Sequence, residues 1–408
     1  MSDVESANLK ALSRLLNSEP WLIDVDLAYE VIPKFKKNML LHAGPEIQPE
    51  HLPSIVKRNA YTAGLFEEWA NSYDEFTKIL NDKNITLSPC FYHNSAVPLA
   101  EVISPSTPVF IVKNKTYGNK VYCKVFNHLD IRATEDITRE LRRIRDVYSS
   151  VLKEAIKLAG GINLREIISE SLYMGDDCHL RTSAGTALFT KILSRYIIET
   201  DFSKKDKIAT IKFIADNERF FLNLALPAIK ASLDSAHGIK NATIITAIGS
   251  NGDKVYVRIS GLGDNLLLFR SPDLEEIYLG NNASNSCVKG IVIGDDLLIE
   301  AYSLGYSVIV SSPALINTFG KTIDNAMRYL HNVYEVSIGE HTKYRIPLLG
   351  SKGIPIGIDI LKIVDKKMQF MIGTFILCIG IESEKVGLSV FPLPLKILHN
   401  AIKMFSEL

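Results

Sequence analysis

The sequence predicts a mixed α+β and α/β protein of several domains, with two α/β domains and a mostly helical domain between them. Short apolar runs alternate with helix-like stretches in residues 1–130. Apolar residues recur at helical spacing in residues 131–236, and β-branched runs return in residues 237–408. A chain of 408 residues is also too long for one hydrophobic core. We therefore predict three domains with these bounds.

The first segment combines strands and helices. Residues 21–25 are predicted to form a strand, and residues 65–80 an amphipathic helix. Residues 109–112 and 121–125 are apolar and flank the turn residues Gly118 and Asn119. This arrangement predicts a pair of strands joined by that turn.

The middle segment begins with a long helical pattern. Thr134 is predicted to cap a helix that starts at Glu135 and Asp136, since acidic residues favour the amino-terminal end of the helix dipole. Gly160 and Gly161 end the pattern. The apolar residues at helical spacing are Ile137, Leu141, Ile144, Tyr148, Val151, Leu152 and Ile156.

Three further helices complete the middle segment. Asn163, with Glu166 three residues later, resembles a capping box for the first of them. Ser183 is predicted to cap the second, and the third covers residues 220–236. The segment is therefore mostly helical.

The third segment returns to strands. Residues 242–246 are β-branched and continuous, as in a buried strand. Asn251 and Gly252 predict a hairpin with a type I′ turn, because both central residues of that turn need a positive φ. The strand after it alternates apolar with polar residues, which predicts one buried face. Its apolar residues are Val255, Val257 and Ile259.

Composition excludes several classes of protein. Lys plus Arg and Asp plus Glu number 46 each, so no overall positive charge attracts nucleic acid or anionic lipid. Zero net charge leaves self-association unopposed. Five cysteines without a CxxC pair argue against a disulfide framework and a thiolate zinc site. Residues 1–10 are polar, unlike a signal peptide, and the apolar run at 368–381 is too short to cross a bilayer. We expect a cytoplasmic protein.

The densest group of reactive side chains lies between two predicted helices. Its members are Asp176, Asp177, Cys178, His179, Arg181, Thr182 and Ser183. Polar groups at this density are costly unless they pair with one another or with a ligand. Arg181 precedes a predicted helix start, where free N–H groups favour an anion, and a guanidinium binds phosphate or carboxylate through two N–H groups. This segment is the best candidate site.

Two other interpretations of the same segment stay open. It could be a polar cluster between domains, in which Arg181 pairs with Asp176 or Asp177. Cys178 would then be buried and inert. It could also hold a metal ion, but adjacent Asp-Asp and Cys-His pairs seldom converge on one ion. We therefore expect no metal.

Five other residues are weaker candidates. His42 could lie in a cleft or on the surface of a Gly-Pro turn. His93 follows a predicted strand, where site residues of α/β folds occur, although a lone histidine is more often packed in the core. Asn217 and Asn223 flank a helix start, and capping alone would explain them. Asp264 ends the glycine loop SGLGD, which is not a dinucleotide motif because no helix follows it.

Ordered landmarks along nearly the whole chain resemble the YlbE-like family, which includes AllG, a subunit of oxamate carbamoyltransferase. They are LHAGP at 41–45, SPSTPV at 104–109, GN at 118–119, MGDDCH at 174–179, FFLNL at 220–224, SGLGD at 260–264, IGD at 293–295 and GIPIGID at 353–359. The sequence departs from the family pattern in two places. It has Leu180 and Thr182 where the family has Asn, and Tyr92 where the family has the first of two His.

The resemblance implies exchange of a carbamoyl group between an oxalurate-like compound and phosphate, giving oxamate and carbamoyl phosphate. Such a site must hold phosphate, polarise a carbonyl oxygen and manage one proton. On this basis Arg181 and the helix start at Thr182 and Ser183 are predicted to bind phosphate. His179 is predicted to contact the carbonyl oxygen, and Asp177 to orient His179.

The remaining residues complete the predicted site. His42 and His93 are candidates for proton transfer or for binding the carboxylate of the acceptor. The other predicted substrate-binding residues are Asp176, Asn217, Asn223 and Asp264.

Two further functions compete with this prediction. The chain could be a non-catalytic or scaffold subunit whose partner performs the chemistry, or a stand-alone metal-dependent hydrolase. We expect other subunits or further copies of the chain as partners, and carbamoyl phosphate or an oxalurate-like small molecule as ligand. We expect no cofactor, nucleic acid or membrane.

Overall fold

The computed structural model describes residues 3–126, 135–274, 290–378 and 385–407. The predicted cap Thr134, the predicted boundary at residues 130 and 131, and Cys287 lie outside these ranges. The described chain is a mixed α/β protein, which confirms the predicted fold class.

Sheets organise the two ends of the chain. The strands are β1 (Pro20–Leu27), β2 (Met39–His42), β3 (Thr86–Pro89), β4 (Ser95–Ala96), β5 (Val102–Ile103), β6 (Pro108–Asn114), β7 (Lys120–Lys124), β8 (Ile162–Asn163), β9 (Ile245–Asn251), β10 (Lys254–Ile259), β11 (Leu266–Arg270), β12 (Gly290–Gly294), β13 (Ser337–Ile346), β14 (Lys352–Ile358), β15 (Met371–Cys378) and β16 (Lys385–Pro392). The first sheet has the order β4-β7-β6-β1-β8 and a second has β3-β2-β5. The largest has the order β11-β10-β9-β12-β15-β16 with antiparallel neighbours, and β13 and β14 form a separate ribbon.

Helices fill the middle of the chain and flank the sheets. They are α1 (Asp3–Leu16), α2 (Ala28–Val31), α3 (Ser54–Phe66), α4 (Tyr73–Asn81), α5 (Glu135–Arg143), α6 (Ser149–Leu158), α7 (Leu164–Tyr173), α8 (Ser183–Glu199), α9 (Lys204–Ala215), α10 (Leu222–Ser235), α11 (Leu297–Ala301), α12 (Pro313–Thr318), α13 (Ile323–Val336), α14 (Ile360–Asp365) and α15 (Leu395–Glu407). A π-helical turn, Ile144–Tyr148, joins α5 to α6. Short 3₁₀ segments include Cys90–His93 and Gly305–Ser311.

The main hydrophobic core runs through all three predicted segments. One cluster of buried side chains includes Leu22 and Phe110, Phe189 from α8, and Ile248 and Phe375 from the largest sheet. Strand β8, from the middle segment, also pairs with β1. The division into three domains stays a prediction.

Several predicted elements are confirmed. Strand β1 contains residues 21–25, and β6 pairs antiparallel with β7 across the predicted turn. The apolar residues of the first middle helices are buried as their spacing predicted, and Gly160 and Gly161 have positive φ after α6. Strands β9 and β10 form the hairpin predicted from Asn251 and Gly252, but the predicted type I′ turn was wrong, because Asn251 ends β9 and only Gly252 of the two has a positive φ.

Other local predictions were wrong. Residues 65–80 form the end of α3, a turn and α4, because Ser72 caps a new helix by accepting a hydrogen bond from the Glu75 N–H. The cap of α8 is Thr182, so Ser183 is the first helical residue. The strand predicted at 242–246 starts only at Ile245. In β10 Tyr256 is buried as well as the alternate apolar residues, because both faces of this strand are covered.

Candidate functional site

The loop between α7 and α8 is held in its turn by the side chain of Asp177. Its Oδ1 accepts hydrogen bonds from the backbone N–H groups of His179, at 3.1 Å, and Arg181, at 2.8 Å. Cys178, which lies between Asp177 and His179, has a φ of 65° and is fully buried. The loop therefore directs Asp177 and His179 inward, and both have no exposed surface.

Asp176 occupies the start of α8. Its Oδ2 accepts the Gly185 N–H at 2.8 Å, and its Oδ1 lies 2.5 Å from Nη1 of Arg181. Burial raises the pKa of Asp176, although the backbone N–H groups of Gly185 and Ala184 and the Arg181 charge oppose that rise. The anion that a helix start favours is here supplied by the chain itself.

Arg181 keeps part of its hydrogen-bonding capacity. Nη1 donates to the Gly175 carbonyl at 3.1 Å and to Asp176. Within the described chain, the structure gives no partner for Nε or Nη2. The side chain is 31% exposed. A planar guanidinium in this state can still bind an incoming anion.

His179 lies between two buried carboxylates. Its Nδ1 is 2.7 Å from Oε1 of Glu300, and its Nε2 is 3.0 Å from Oδ2 of Asp296. A carboxylate only accepts hydrogen bonds, so both ring nitrogens are protonated if both carboxylates are ionised. Burial by itself lowers the pKa of His179, but the hydrogen bonds and charges of Asp296 and Glu300 outweigh it and raise the pKa to about 10. His179 is a buried imidazolium.

The loop after β12 fixes one of these carboxylates and ties it to two other segments. Oδ1 of Asp296 accepts the Leu99 N–H at 2.9 Å. Its neighbour Asp295 accepts the Gly44 N–H at 2.9 Å and the Val97 N–H at 3.2 Å. Burial raises the pKa of Asp295 to about 7 despite those two hydrogen bonds. This Asp-Asp pair joins the segments around residues 44 and 97–99 to the loop of His179.

Glu300 is fixed by the 3₁₀ segment that follows α11. The Tyr306 N–H donates to both of its oxygens, at 2.9 and 3.2 Å. Gly305 has a φ of 69°, and a Cβ there would lie 1.9 Å from Oε1 of Glu300 and 3.1 Å from Nδ1 of His179. The Gly305 N–H also donates to the Asp177 carbonyl at 3.0 Å. Only glycine allows this segment to pass so close to the ion pair.

Asp177 has one oxygen without a partner. Oδ2 is buried and has no hydrogen-bond partner among the residues that the structure describes. Burial raises the pKa of Asp177 to about 7, opposed by the charge of His179 and the N–H of Arg181. Asp177 therefore has one oxygen, Oδ1, that accepts two hydrogen bonds and a second, Oδ2, that could accept a hydrogen bond from a ligand.

The predicted histidines outside the loop differ from each other. Nδ1 of His42 is 2.9 Å from the Ala43 carbonyl, while its buried Nε2 has no partner in the described ranges. Burial lowers the pKa of His42 to about 4. Both nitrogens of His93 are bonded, to Ser88 Oγ at 2.9 Å and to the Pro33 carbonyl at 3.1 Å. The segment of His42 reaches the loop through Gly44 and Asp295, whereas no contact of His93 with the loop is found among the described residues.

The other predicted residues lie at varying distances from the loop. Oγ1 of Thr182 donates to the Glu218 carbonyl at 3.4 Å. Oδ1 of Asn217 accepts the Arg219 N–H at 3.0 Å, and the Arg219 guanidinium lies 5.1 Å from the centre of the Phe375 ring. That ring in turn packs edge-on against the His179 ring at 5.6 Å.

Asn223 and Asp264 have different surroundings. Asn223 is buried in α10, donates to the Val125 carbonyl at 3.4 Å, and leaves Oδ1 without a partner in the described chain. Asp264 is fully exposed, 3.7 Å from Nε2 of His237. The structure thus brings Asp176, Asp177, His179, Arg181 and Thr182 together and leaves Asp264 at the surface.

Three residues of this cluster were not predicted as site residues from the sequence. They are Asp295, Asp296 and Glu300. The adjacent acids after the apolar run Ile291–Ile293, which forms part of β12, were a usable signal for the first two, because charged groups at strand ends often face a site. Glu300 lies within an apolar helix, and no local pattern marks it.

Comparison with known proteins identifies relatives along the whole chain. The family described as "Oxamate carbamoyltransferase subunit AllG" matches residues 85–295. The uncharacterised protein YahG of Escherichia coli K12 is 32% identical over 99% of this chain and 86% of its own length. The chain belongs to the AllG family.

Two other relatives agree with this membership. The oxamate carbamoyltransferase subunit AllG of Escherichia coli K12 is 26% identical, over 100% of this chain and 98% of its own length. A crystal structure of a conserved protein of unknown function from Enterococcus faecalis V583 superposes with a TM-score of 0.93 at 29% identity, covering 99% of this chain and 98% of that one. The matched family segment contains the loop of His179 and ends at Asp295.

Two features are absent from the residues that the structure describes. No three His, Cys, Asp or Glu side chains are arranged there to hold a metal ion. No helix in those ranges has both the length and the apolar character that crossing a membrane requires.

Proposed function

We propose that the protein is a subunit of a carbamoyl-transferring enzyme, which exchanges a carbamoyl group between an oxalurate-like compound and phosphate. The observation that carries this proposal is membership of the AllG family, whose matched segment contains Asp177 and His179. A relative that aligns over the full chain is named as a subunit of oxamate carbamoyltransferase.

The proposed exchange forms one bond and breaks another. A phosphate oxygen attacks the carbamoyl carbon of the oxalurate-like compound, and the bond from that carbon to the oxamate nitrogen breaks. The proton that leaves the phosphate ends on that nitrogen, so the products are oxamate and carbamoyl phosphate. Negative charge builds on the carbonyl oxygen during the attack, and a fixed positive charge near it would lower the barrier.

The loop supports this chemistry through two cations. Arg181 is partly exposed and keeps N–H groups for a phosphate, although a phosphate at the helix start would have to displace Asp176. His179 is held between two carboxylates, and the three groups together carry a net negative charge. A role of His179 toward the carbonyl oxygen therefore requires one ring nitrogen to leave its carboxylate and donate to that oxygen directly.

The remaining predicted roles belong to the same proposal. His42 has a nitrogen available for the proton or for the carboxylate of the acceptor, whereas His93 would first have to give up a bond to Ser88 or Pro33. Thr182, Ser183, Asn217, Asn223 and Asp264 stay candidates for substrate contact. We also propose that the enzyme is cytoplasmic, needs no cofactor and works together with other subunits.

A second function is favoured by a specific observation. Asp176 satisfies the start of α8 and pairs with Arg181, and both nitrogens of His179 are bonded within the chain. These are the contacts of the polar-cluster interpretation. They fit a scaffold subunit whose partner performs the chemistry.

A coupled assay separates the two functions. The purified protein is supplied with carbamoyl phosphate and oxamate, with and without candidate partner subunits, and phosphate release is measured. Exchange that Arg181→Ala abolishes in the assembled complex, with complex formation intact, supports the catalytic subunit. Exchange that is unchanged by Arg181→Ala supports the scaffold.

A further inference from the structure

The two carboxylate oxygens of Asp177 have unequal surroundings. Oδ1 accepts two backbone N–H groups, from His179 and Arg181. Oδ2 is equally buried but has no donor among the described residues. Because Oδ1 is held by two rigid donors, the direction in which Oδ2 points is fixed as well.

A buried oxygen without a donor is unfavourable. Such an acceptor loses its hydrogen bonds to water without gaining others, and the loss is greater for a charged group. The neighbourhood is also rich in negative charge, since Asp296 and Glu300 share the single imidazolium of His179. The raised pKa of Asp177 reflects the same cost. A ligand that brings an N–H group to Oδ2 would remove this cost, and a ligand that brings another anion would increase it.

The proposed reaction supplies a suitable donor. Oxamate, carbamoyl phosphate and oxalurate-like compounds all carry an NH₂ group next to a carbonyl. We infer that Oδ2 of Asp177 accepts a hydrogen bond from the NH₂ group of the carbamoyl or oxamate moiety, and so selects amides over the corresponding carboxylates. The inference rests on the proposed function for the identity of this ligand.

Substitution by asparagine makes a sharp test, because the fold dictates its orientation. The N–H groups of His179 and Arg181 both need an acceptor, so the side-chain oxygen of the introduced asparagine would stay at the Oδ1 position. The side-chain NH₂ would then replace Oδ2. Asp177→Asn thereby presents a donor where the ionised carboxylate of the natural protein presents an acceptor, so binding is compared above the Asp177 pKa of about 7.

The experiment measures binding to the full-length protein by titration calorimetry with two probes, oxamate and oxalate. Oxalate has an oxygen in place of the NH₂ group. The natural protein should bind oxamate more tightly than oxalate. Asp177→Asn should weaken oxamate binding roughly 10- to 100-fold while leaving oxalate binding equal or stronger, as expected for one lost buried hydrogen bond.

Asp359→Asn is the matched control. Asp359 is also a buried carboxylate that caps a helix, but its oxygens have partners in Thr243, Leu361 and Asn8. This variant should keep the preference for oxamate. Loss of the preference there too would show a general effect of removing buried charge, and would overturn the inference.

Other outcomes also decide the matter. Equal affinity of the natural protein for oxamate and oxalate, or binding of neither, overturns the inference even if Asp177→Asn does not fold. An ordered water on Oδ2 in a crystal grown with oxamate overturns it as well. The binding preference is independent of turnover, so it could hold in a scaffold subunit that shows no carbamoyl exchange, and it could fail in an active one.

Discussion

At the scale of single residues, the dominant interaction is the imidazolium of His179 between Asp296 and Glu300. Removing the cation would leave two carboxylates buried without their counter-charge, and breaking a buried pair in this way costs about 3–5 kcal/mol. We therefore expect His179→Gln to lower the free energy of unfolding by about that amount, measured by urea denaturation. This loss of stability is expected whether or not His179 takes part in catalysis.

His341→Gln provides the comparison. His341 is also a buried histidine, but its Nδ1 accepts the N–H groups of Lys343 and Tyr344, and no carboxylate faces it in the described chain. A glutamine oxygen can replace that acceptor, so the loss should be clearly smaller. Equal losses in the two variants would mean that the carboxylates around His179 contribute little.

The same residue predicts how stability depends on pH. The pKa of His179 is raised to about 10, above the ordinary value of 6.5. A raised histidine pKa stabilises the fold fully below pH 6.5, and this stabilisation is lost as the pH rises through 10. The free energy of unfolding should fall between about pH 6.5 and about pH 9.5 more steeply in the natural protein than in His179→Gln. Parallel curves for the two proteins would contradict the buried imidazolium.

The sequence predicted some of the residues of this cluster and missed others. The density of polar residues singled out Asp176, Asp177, His179 and Arg181, which the structure does place together. The partners of His179 could not be predicted in the same way, because Asp296 and Glu300 are more than a hundred residues away in the chain. Local spacing contains no information on such a contact.

At the scale of elements, the 3₁₀ segment Gly305–Ser311 closes over the ion pair. Gly305→Ala would place a Cβ against Glu300 and His179 in addition to straining a positive φ. Gly350 also has a positive φ, of 61°, but a Cβ there would meet nothing within 4 Å. Gly350→Ala should therefore cost only the backbone strain, about 1 kcal/mol. Thermal denaturation should show a much larger loss for Gly305→Ala, and similar losses would refute the close packing.

Element boundaries show where local signals were sufficient. The helices α5 and α6 followed their apolar spacing, since each buries one face, and the pair β6 and β7 followed their continuous apolar runs, since both faces of these strands are buried. The single helix predicted at residues 65–80 failed because Ser72 caps a new helix inside an apolar pattern that continues past it. A capping hydrogen bond depends on the local backbone conformation, which periodicity does not contain.

At the scale of the whole molecule, α10 is the element that connects the parts. All of its residues except Asp234 are buried. It packs against β1, β6 and β7 of the first sheet and also against β9 and α11. A helix buried on nearly all of its surface needs such a covering, so the middle segment depends on both of its neighbours.

This dependence predicts the behaviour of the middle segment when it is isolated. A fragment of residues 131–236 would expose α10 to water on the faces that the two sheets cover, and the main hydrophobic cluster would lose its members from both ends of the chain. We expect the fragment to show little helical circular dichroism and no cooperative transition in urea. The full chain should unfold in one main transition. A fragment that unfolds cooperatively from a helical state would instead establish the predicted helical domain as an independent folding unit.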